Sequence, residues 1–407
     1  MKTTSISFKT IGCRLNQAET AQLRASCLAA GLRLQPFGAA SDISVIHGCM
    51  VTARAEEDSL RLVRSIKRRQ PHTFVVLAGC AAQLGDATRL RASGVDLLAG
   101  QKEKFHLPAL LAQEGFSCRP TAGAVRPHFS TQRALVKIQD GCNFHCTYCI
   151  VPAARGAPRS RPTSAIISEI RQLAGDGFRE FVLTGVNLGC YEDEGRNLRQ
   201  LLELLESQTP AERLRLSSIE LTTVERGVLD HMAASHKLCR FLHIPLQSGS
   251  DNILAAMDRR YTAAQYRALV AEATRKIEGL GLGSDIMVGF PGESAADFAA
   301  SERLLSELPI SNLHVFSYSP RPGTPAARSR AQVPEPEKKR RAARLIALGR
   351  RQRQAFAQRW IGRETSVLIE SVDAAGVGRG WSSEYLPVLV QGCVQEPRSI
   401  IRFRAHT

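Results

Sequence analysis

The sequence predicts an α/β chain in three successive parts: an N-terminal open parallel α/β sheet domain, a central partial barrel of βα units, and a small C-terminal β-barrel. Three observations carry this expectation. Short β-branched runs alternate with helical stretches through most of the chain, the pattern of parallel sheets. A glycine–cysteine pair follows each of the first three strand signals. From about residue 360 the text turns to glycine-rich, short β runs with no helical period.

The boundaries follow at 1–118, 133–355 and 360–407, since 407 residues exceed one ordinary domain. In the first part, Ser5 to Phe8 reads as a strand and leads to Gly12-Cys13. Asn16 and Glu19 resemble a capping box opening a helix that runs to about Ala30. Ile43 to Ile46 is the second strand signal, ending at Gly48-Cys49, and Phe74 to Leu77 the third, ending at Gly79-Cys80. Between these two, Leu60, Val63 and Ile66 fall on one helical face with arginines opposite. Six further strand signals fall at Leu135–Gln139, Phe181–Thr184, Leu214–Ile219, Phe241–Leu246, Gly283–Val288 and Leu313–Ser317. Helical stretches at 164–174, 262–278 and 296–307 separate several of them, the second opened by a Thr262/Gln265 capping box. Six βα units predict a partial (β/α)6 TIM-like barrel, because a closed one uses eight. A basic amphipathic helix over 338–353 leads to the last part, where Val367–Ile369 and Val388–Val390 are β runs.

Composition excludes several classes. A hydrophobic fraction of 43% argues against disorder. No apolar run approaches the roughly 18–20 residues that cross a bilayer, and the first residues lack a signal-peptide pattern. A cytoplasmic protein without a membrane partner is expected. Eleven cysteines, an odd number in a long cytosolic chain, speak against a disulfide framework. A net charge of +16 favours a polyanionic partner such as nucleic acid, although a basic, arginine-rich chain carries such a charge without one.

Where the cysteines stand matters more than their number. Cys13, Cys49 and Cys80 each follow a strand, one βα unit apart, and strand ends of an open parallel sheet share one edge. The three thiols are therefore expected to converge. Buried small hydrophobes are the plainer alternative for free cysteines. Cys142, Cys146 and Cys149 stand in Cys-Asn-Phe-His-Cys-Thr-Tyr-Cys, directly after the first barrel strand. Three thiolates on one loop fit an iron–sulfur cluster with one iron left open. Zinc would want a fourth ligand, for which His145 is the candidate. Cys27, Cys118, Cys190, Cys239 and Cys393 read as structural.

The loop resembles the radical S-adenosylmethionine (SAM) signature, CxxxCxxC with an aromatic before the third cysteine. Motifs along nearly the whole chain narrow the resemblance to the radical SAM methylthiotransferases. They are Gly-Cys-Arg-Leu-Asn-Gln-Ala-Glu at 12–19, Gly-Cys-Met-Val-Thr at 48–52, Gly-Cys-Ala-Ala-Gln at 79–83, Leu-Thr-Gly-Val-Asn at 183–187, His-Ile-Pro-Leu-Gln-Ser-Gly-Ser at 243–250, Gly-Phe-Pro-Gly-Glu at 289–293 and Tyr-Ser-Pro-Arg-Pro-Gly-Thr-Pro at 318–325. Two departures stand out: His47-Gly48 replaces the usual Asn-Thr, and Ala81 the frequent Tyr.

The resemblance implies two 4Fe-4S clusters, the second held by Cys13, Cys49 and Cys80, with no catalytic residue beyond the clusters. It implies SAM as cofactor, with Gly185 and Asn187 near its amino acid moiety, Glu220 and Gln247 as polar contacts, and Tyr148 beside the adenine or shielding the cluster. A low-potential electron donor such as flavodoxin or ferredoxin is implied, and a C-terminal RNA-binding TRAM domain. Arg155, Arg159, Arg161, Lys338, Arg340 and Arg341 are the candidate RNA contacts, with a solvated basic surface as the alternative. The family has three branches, acting on threonylcarbamoylated adenosine at position 37 of tRNA, on isopentenylated adenosine in tRNA, and on an aspartate of a small-subunit ribosomal protein. The Arg259-Arg260-Tyr261-Thr262 run and the Asn16/Glu19 context resemble the first. A non-catalytic, metal-containing RNA-binding protein is the expectation from another class. The sequence is silent on oligomeric state.

Overall fold

The computed structural model describes residues 3–118 and 127–406. Its first sheet has five parallel strands: β1 (Ser5–Thr10), β2 (Arg33–Gln35), β3 (Ile43–Gly48), β4 (Phe74–Gly79) and β5 (Leu97–Ala99), in the order β2-β1-β3-β4-β5. Helix α1 (Arg14–Ala29) follows β1 and α2 (Ala53–Arg69) follows β3. Leu60, Val63 and Ile66 of α2 pack against Ile46, Val75 and Leu77, as the helical period predicts. The opposite face of the sheet buries Ile6, Val45 and Val76 with Leu23, Cys27, Leu107 and Leu111. Strands β2 and β5, three residues each, carry too little pattern for the sequence to reveal.

Helix α1 corrects one expectation. It begins at Arg14, with Cys13 as an uncapped N-terminal residue, so Asn16 and Glu19 lie inside the helix rather than at its cap. Asn16 donates from Nδ2 to the Ile11 carbonyl at 3.0 Å, and Glu19 is turned wholly into the interior.

Six parallel strands follow: β6 (Ala134–Lys137), β7 (Glu180–Thr184), β8 (Arg213–Leu216), β9 (Phe241–His243), β10 (Gly281–Val288) and β11 (Asn312–Ser317). They form two three-stranded sheets, joined between β8 and β9 by parallel bridges at Leu214↔Leu238 and Ser218↔His243. Sequential order and parallel sense require each crossover to run outside, and the helices supply it: α3 (Thr163–Gly175), α4 (Leu198–Gln208), α5 (Arg226–Ala234), α6 (Ala263–Lys276) and α7 (Ala295–Glu307). The Thr262/Gln265 capping box is present at α6. Helix α1 packs Ala18 against Leu135 and Val182, tying the first sheet to β6 and β7.

Helix α8 (Glu335–Gln358) leads to β12 (Glu364–Val372), β13 (Gly378–Ser382), β14 (Pro387–Val390) and β15 (Ile400–Arg404). These form an antiparallel sheet in the linear order β14-β13-β12-β15. The sheet sits against the amino ends of the six central strands. Glu180, buried at the start of β7, pairs with Arg215 at 2.7 Å and Arg213 at 3.1 Å. Arg215 donates across to the carbonyls of Ser383 and Ser382, both at 3.0 Å. At Gly281 a Cβ would lie 2.2 Å from the Glu384 carbonyl oxygen, so only glycine permits the approach.

Burial would raise the Glu180 carboxyl, but Arg213 and Arg215 hold it down at about 2. Its pairing therefore stabilises the fold fully above its ordinary value near 4.5, and the benefit is lost as pH falls toward 2. Arg215→Ala is expected to cost about 3–5 kcal/mol, because it leaves a fully buried carboxylate with Arg213 alone and removes the bonds to Ser382 and Ser383. Denaturant titration of metal-free protein checks this; the advantage of wild type over Glu180→Gln should shrink only in that acid window.

Candidate functional site

Cys13 immediately precedes α1, Cys49 follows β3, and Cys80 opens the short helix Cys80–Leu84 after β4. The predicted convergence is found: Cys49 lies in the electrostatic reach of both Cys13 and Cys80, and Cys80 in that of Cys13. Close approach is set by glycine, since a Cβ on Gly12 would meet Cys49 Cβ at 2.8 Å. The two departures noted in the sequence are one packing solution. A Cβ on Gly48 would fall 2.7 Å from Ala81 Cβ, so these two small residues accommodate each other. His47 is fully buried, bonded through Nδ1 to Thr20 Oγ1 at 2.9 Å and through Nε2 to Lys104 Nζ at 3.3 Å. Burial, then Lys104, push its pKa well below the usual range, and it stays neutral.

The second trio stands just beyond β6. Cys142, Cys146 and Cys149 lie within electrostatic reach of one another. Cys80 packs with Met50, Ile150 and Ala154, so the first trio adjoins the loop that carries the second. Burial pushes Cys49 up to about 11 and Cys149 up to about 12. Such thiols ligate only as thiolates, so a metal would displace their protons. The surroundings suit anionic sulfur: Cys80 receives Gln101 Nε2–H at 2.8 Å, Cys142 the Phe144 N–H at 3.4 Å, Cys49 the Val51 N–H at 3.5 Å and Cys146 the Arg259 Nη1–H at 3.5 Å. Donors aimed at sulfur and three thiols per site fit an iron–sulfur cluster.

Between the trios lies a buried ionic network that sequence reasoning missed. Glu19 accepts from Lys104 and Lys137, each at 2.7 Å, and from Arg155 at 3.1 and 3.2 Å. Arg155 also holds Asp140 at 2.9 Å and Asn16 at 2.7 Å. Lys104 bonds Gln101 at 2.6 Å, the residue that donates to Cys80. Burial would raise Glu19, yet Lys104, Lys137 and Arg155 hold it well below the usual carboxylate range.

This network corrects the reading of Arg155, which is buried between the two parts of the chain and is not available to a phosphate. Lys338 and Arg341 are likewise corrected: both are buried, Lys338 on the Tyr318 carbonyl at 3.2 Å and Arg341 on Glu293 and Glu337. Arg161 is half-buried on Glu169. Arg159 and Arg340 are exposed, Arg340 paired with Glu337 at 2.7 Å. Lys339, Arg350 and Arg351 also lie open on α8.

The SAM-contact candidates lie at strand carboxyl ends. Gly185 is pressed on Gln139, whose Oε1 would be 2.9 Å from a Cβ there. Asn187 is buried and works as a brace: Oδ1 accepts from Glu220 N at 3.2 Å and Thr223 Oγ1 at 3.0 Å, while Nδ2 donates to Cys190 Sγ at 3.1 Å. Glu220 is paired with Arg259, itself on Cys146. Gln247 is held at φ 64° with its buried Oε1 unpartnered, a strained residue with a free acceptor. Tyr148 packs edge-to-face on Phe290 at 6.4 Å. A cavity of about 270 Å³ opens beside Cys13, Gly185 and Ser218, and reaches His243, Asp285 and His314. Asp285 stands 3.2 Å from His243 and 3.3 Å from His314, a trio whose donors are close enough together for one divalent ion.

A parallel α/β arc with a three-cysteine loop at its carboxyl ends defines a radical SAM protein, and comparison with known proteins agrees. Residues 136–305 match the family model described as Radical SAM superfamily, and residues 5–100 the one described as Uncharacterized protein family UPF0004. The chain is 32% identical to the threonylcarbamoyladenosine tRNA methylthiotransferase MtaB of Bacillus subtilis, over 95% of this chain and 90% of that protein. It is 34% identical to the protein of the same name from Aquifex aeolicus, over 89% and 92%. It is also 32% identical to the tRNA-2-methylthio-N(6)-dimethylallyladenosine synthase of Polynucleobacter asymbioticus, over 91% and 88%. Among solved structures, the radical SAM methyltransferase TsrM of Kitasatospora setae shares the fold, at TM-score 0.59 and 14% identity over 80% of this chain and 77% of its own. The chain belongs to the radical SAM methylthiotransferase family. No helix among the described residues is long and apolar enough to cross a membrane.

Glu19→Gln is expected to destabilise the protein by about 3–5 kcal/mol, since it leaves the buried Lys104 without a carboxylate and Lys137 and Arg155 with Asp140 alone. A lowered denaturation midpoint checks this.

Proposed function

We propose that this protein is a tRNA methylthiotransferase that converts N6-threonylcarbamoyladenosine at position 37, beside the anticodon, to its 2-methylthio derivative. The observation that carries this reading is near full-length relatedness to proteins named for that reaction, with both cysteine trios in register with their strand ends. On this reading residues 1–118 form the domain for the auxiliary cluster, 133–355 a partial (β/α)6 TIM-like radical SAM barrel, and 360–407 a TRAM-like β-barrel domain for RNA. Cys142, Cys146 and Cys149 would hold the cluster that binds SAM, and Cys13, Cys49 and Cys80 a second 4Fe-4S cluster. Bound there, the clusters and SAM supply a carbon radical and a sulfur donor, chemistry that no side chain offers at an aromatic C–H.

The chain's own residues position and shield. Gln247 offers its free acceptor to SAM, Gly185 leaves room for it, and Asn187 and Glu220 brace the surrounding loops rather than touch it. Tyr148, with Phe290, covers the cluster loop. Arg159, Arg340 and the open cations of α8 serve the RNA backbone. A cytosolic location and a flavodoxin- or ferredoxin-type donor follow from the chemistry. Relatives named for dimethylallyladenosine at similar identity keep the isopentenyl substrate as the second reading.

Four outcomes are expected. Anaerobically reconstituted protein should hold about eight irons per chain, falling to about four in Cys142→Ala or Cys80→Ala. Cys142→Ala should release no 5′-deoxyadenosine from SAM, whereas Cys80→Ala should still release it without methylthiolating tRNA. A non-catalytic RNA-binding protein would release none in any form. Binding of tRNA should weaken steeply with salt, and the slope should flatten in Arg350→Gln/Arg351→Gln. Mass spectrometry of tRNA nucleosides decides the substrate: the methylthio threonylcarbamoyl nucleoside should vanish from a strain lacking this gene and no other enzyme for that step, and its persistence would overturn the reading.

A further inference from the structure

The lumen cavity carries a cation that the protein leaves uncompensated. Arg14, the residue after Cys13, lines it and forms no ion pair among the described residues. Its neighbours differ. Arg215 is neutralised by Glu180 at 2.7 Å, and Arg133 by Glu370 at 2.9 Å. Arg14 has only a phenol: Nη2 donates to Tyr385 Oη at 2.5 Å, and the guanidinium lies over that ring at 5.2 Å. A half-buried guanidinium without a carboxylate is a costly arrangement, usually kept where an anion arrives from outside.

The anchor is itself built at a cost. Tyr385 stands at φ 70°, the left-handed region that a bulky side chain rarely adopts. Stacking on Trp381 at 4.6 Å and contact with Phe241 at 4.7 Å fix its ring in place. Strain of this kind persists where the surroundings fix one geometry, here the direction of Arg14.

The rest of the wall is mixed, with Leu15 and Phe241 apolar among the polar groups. Ser217, Ser218, His243, Asn312 and His314 face the same space, and its one carboxylate, Asp285, already has both histidines against it. Four of these groups already satisfy one another, Ser218 on His243 at 2.8 Å, Asn312 on His314 at 3.3 Å and both histidines on Asp285, so the partners left open to a substituent with a carboxylate, a hydroxyl and a urea are Arg14 and the buried, unpartnered Ser217 Oγ.

We propose that Arg14, aimed by Tyr385, binds the carboxylate of the adenine's N6 substituent inside the lumen and so sets the enzyme's preference for an acidic modified base. The proposal rests on the methylthiotransferase reading above and assigns the residue that selects among its substrates. Arg14 is a binding residue, Tyr385 a positioning one.

The test uses cluster-loaded, full-length protein and three anticodon stem-loops. These carry N6-threonylcarbamoyladenosine, the same group without its carboxylate, or N6-isopentenyladenosine. Wild type should favour the first over the second in kcat/KM by on the order of ten- to a hundredfold, the scale of a lost charge-assisted contact. Arg14→Gln should raise KM for the acidic loop and bring the ratio near one; iron content is measured alongside, because Cys13 is adjacent. Tyr385→Phe, which keeps the ring but frees the guanidinium, should lower the ratio partway. Equal use of the first two loops by wild type would overturn the inference and leave the proposed function standing. Turnover of the isopentenyl loop alone would overturn the proposed function itself. A preference that survives Arg14→Gln with clusters intact would overturn the assignment to Arg14.

Discussion

The structure depends on one carboxylate. Glu19 is wholly out of water, and an isolated buried carboxylate would be intolerable in a protein interior. It is tolerable because Lys104, Lys137 and Arg155 surround it, and each arrives from a different stretch of chain. Lys104 comes from the end of the first sheet, Lys137 from the first barrel strand, and Arg155 from the short helix after the three-cysteine loop. The charge can be satisfied only when all three segments have assembled. Cys13 opens the helix that carries Glu19, and the second trio lies on the loop between Lys137 and Arg155, so this ionic lock acts beside the apolar contacts of Cys80 with Ile150 and Ala154 in setting how the two trios adjoin.

The same lock balances charge. Glu19 and Asp140 face Lys104, Lys137 and Arg155, which leaves the group with one net positive charge while His47 stays neutral. A surplus cation beside thiolates is favourable electrostatically, and Gln101 extends it as a hydrogen bond to Cys80. Position and electrostatics are therefore set by one cluster of side chains.

Much of this was legible in sequence, and the rest fails for identifiable reasons. Strand ends placed Cys13, Cys49 and Cys80 together because the geometry of a parallel sheet is local and periodic. The six barrel strands were found within a few residues for the same reason. Glu19 was misread as a cap, since Asn-x-x-Glu before a helix looks identical whether the acid reaches back to the backbone or turns inward. Arg155, Lys338 and Arg341 were read as surface cations, because sequence shows charge and not burial. Lys137 offered a usable signal: a lysine inside the apolar run Leu-Val-Lys-Ile implies a buried partner. Arg259 was read only as part of a branch-like run; that it meets Glu220 and Cys146 shows only in three dimensions.

The C-terminal sheet shows how far a small domain can be committed to its neighbour. Its backbone carbonyls accept from Arg213 and Arg215, and its Tyr385 reaches a residue beside a cluster ligand. A domain of this kind is usually pictured as an adaptor on a leash, exchangeable for another binder. Here it packs on the amino ends of the central strands. Cutting it away would expose those strand ends to bulk water and unseat a buried arginine pair, Arg213 and Arg215.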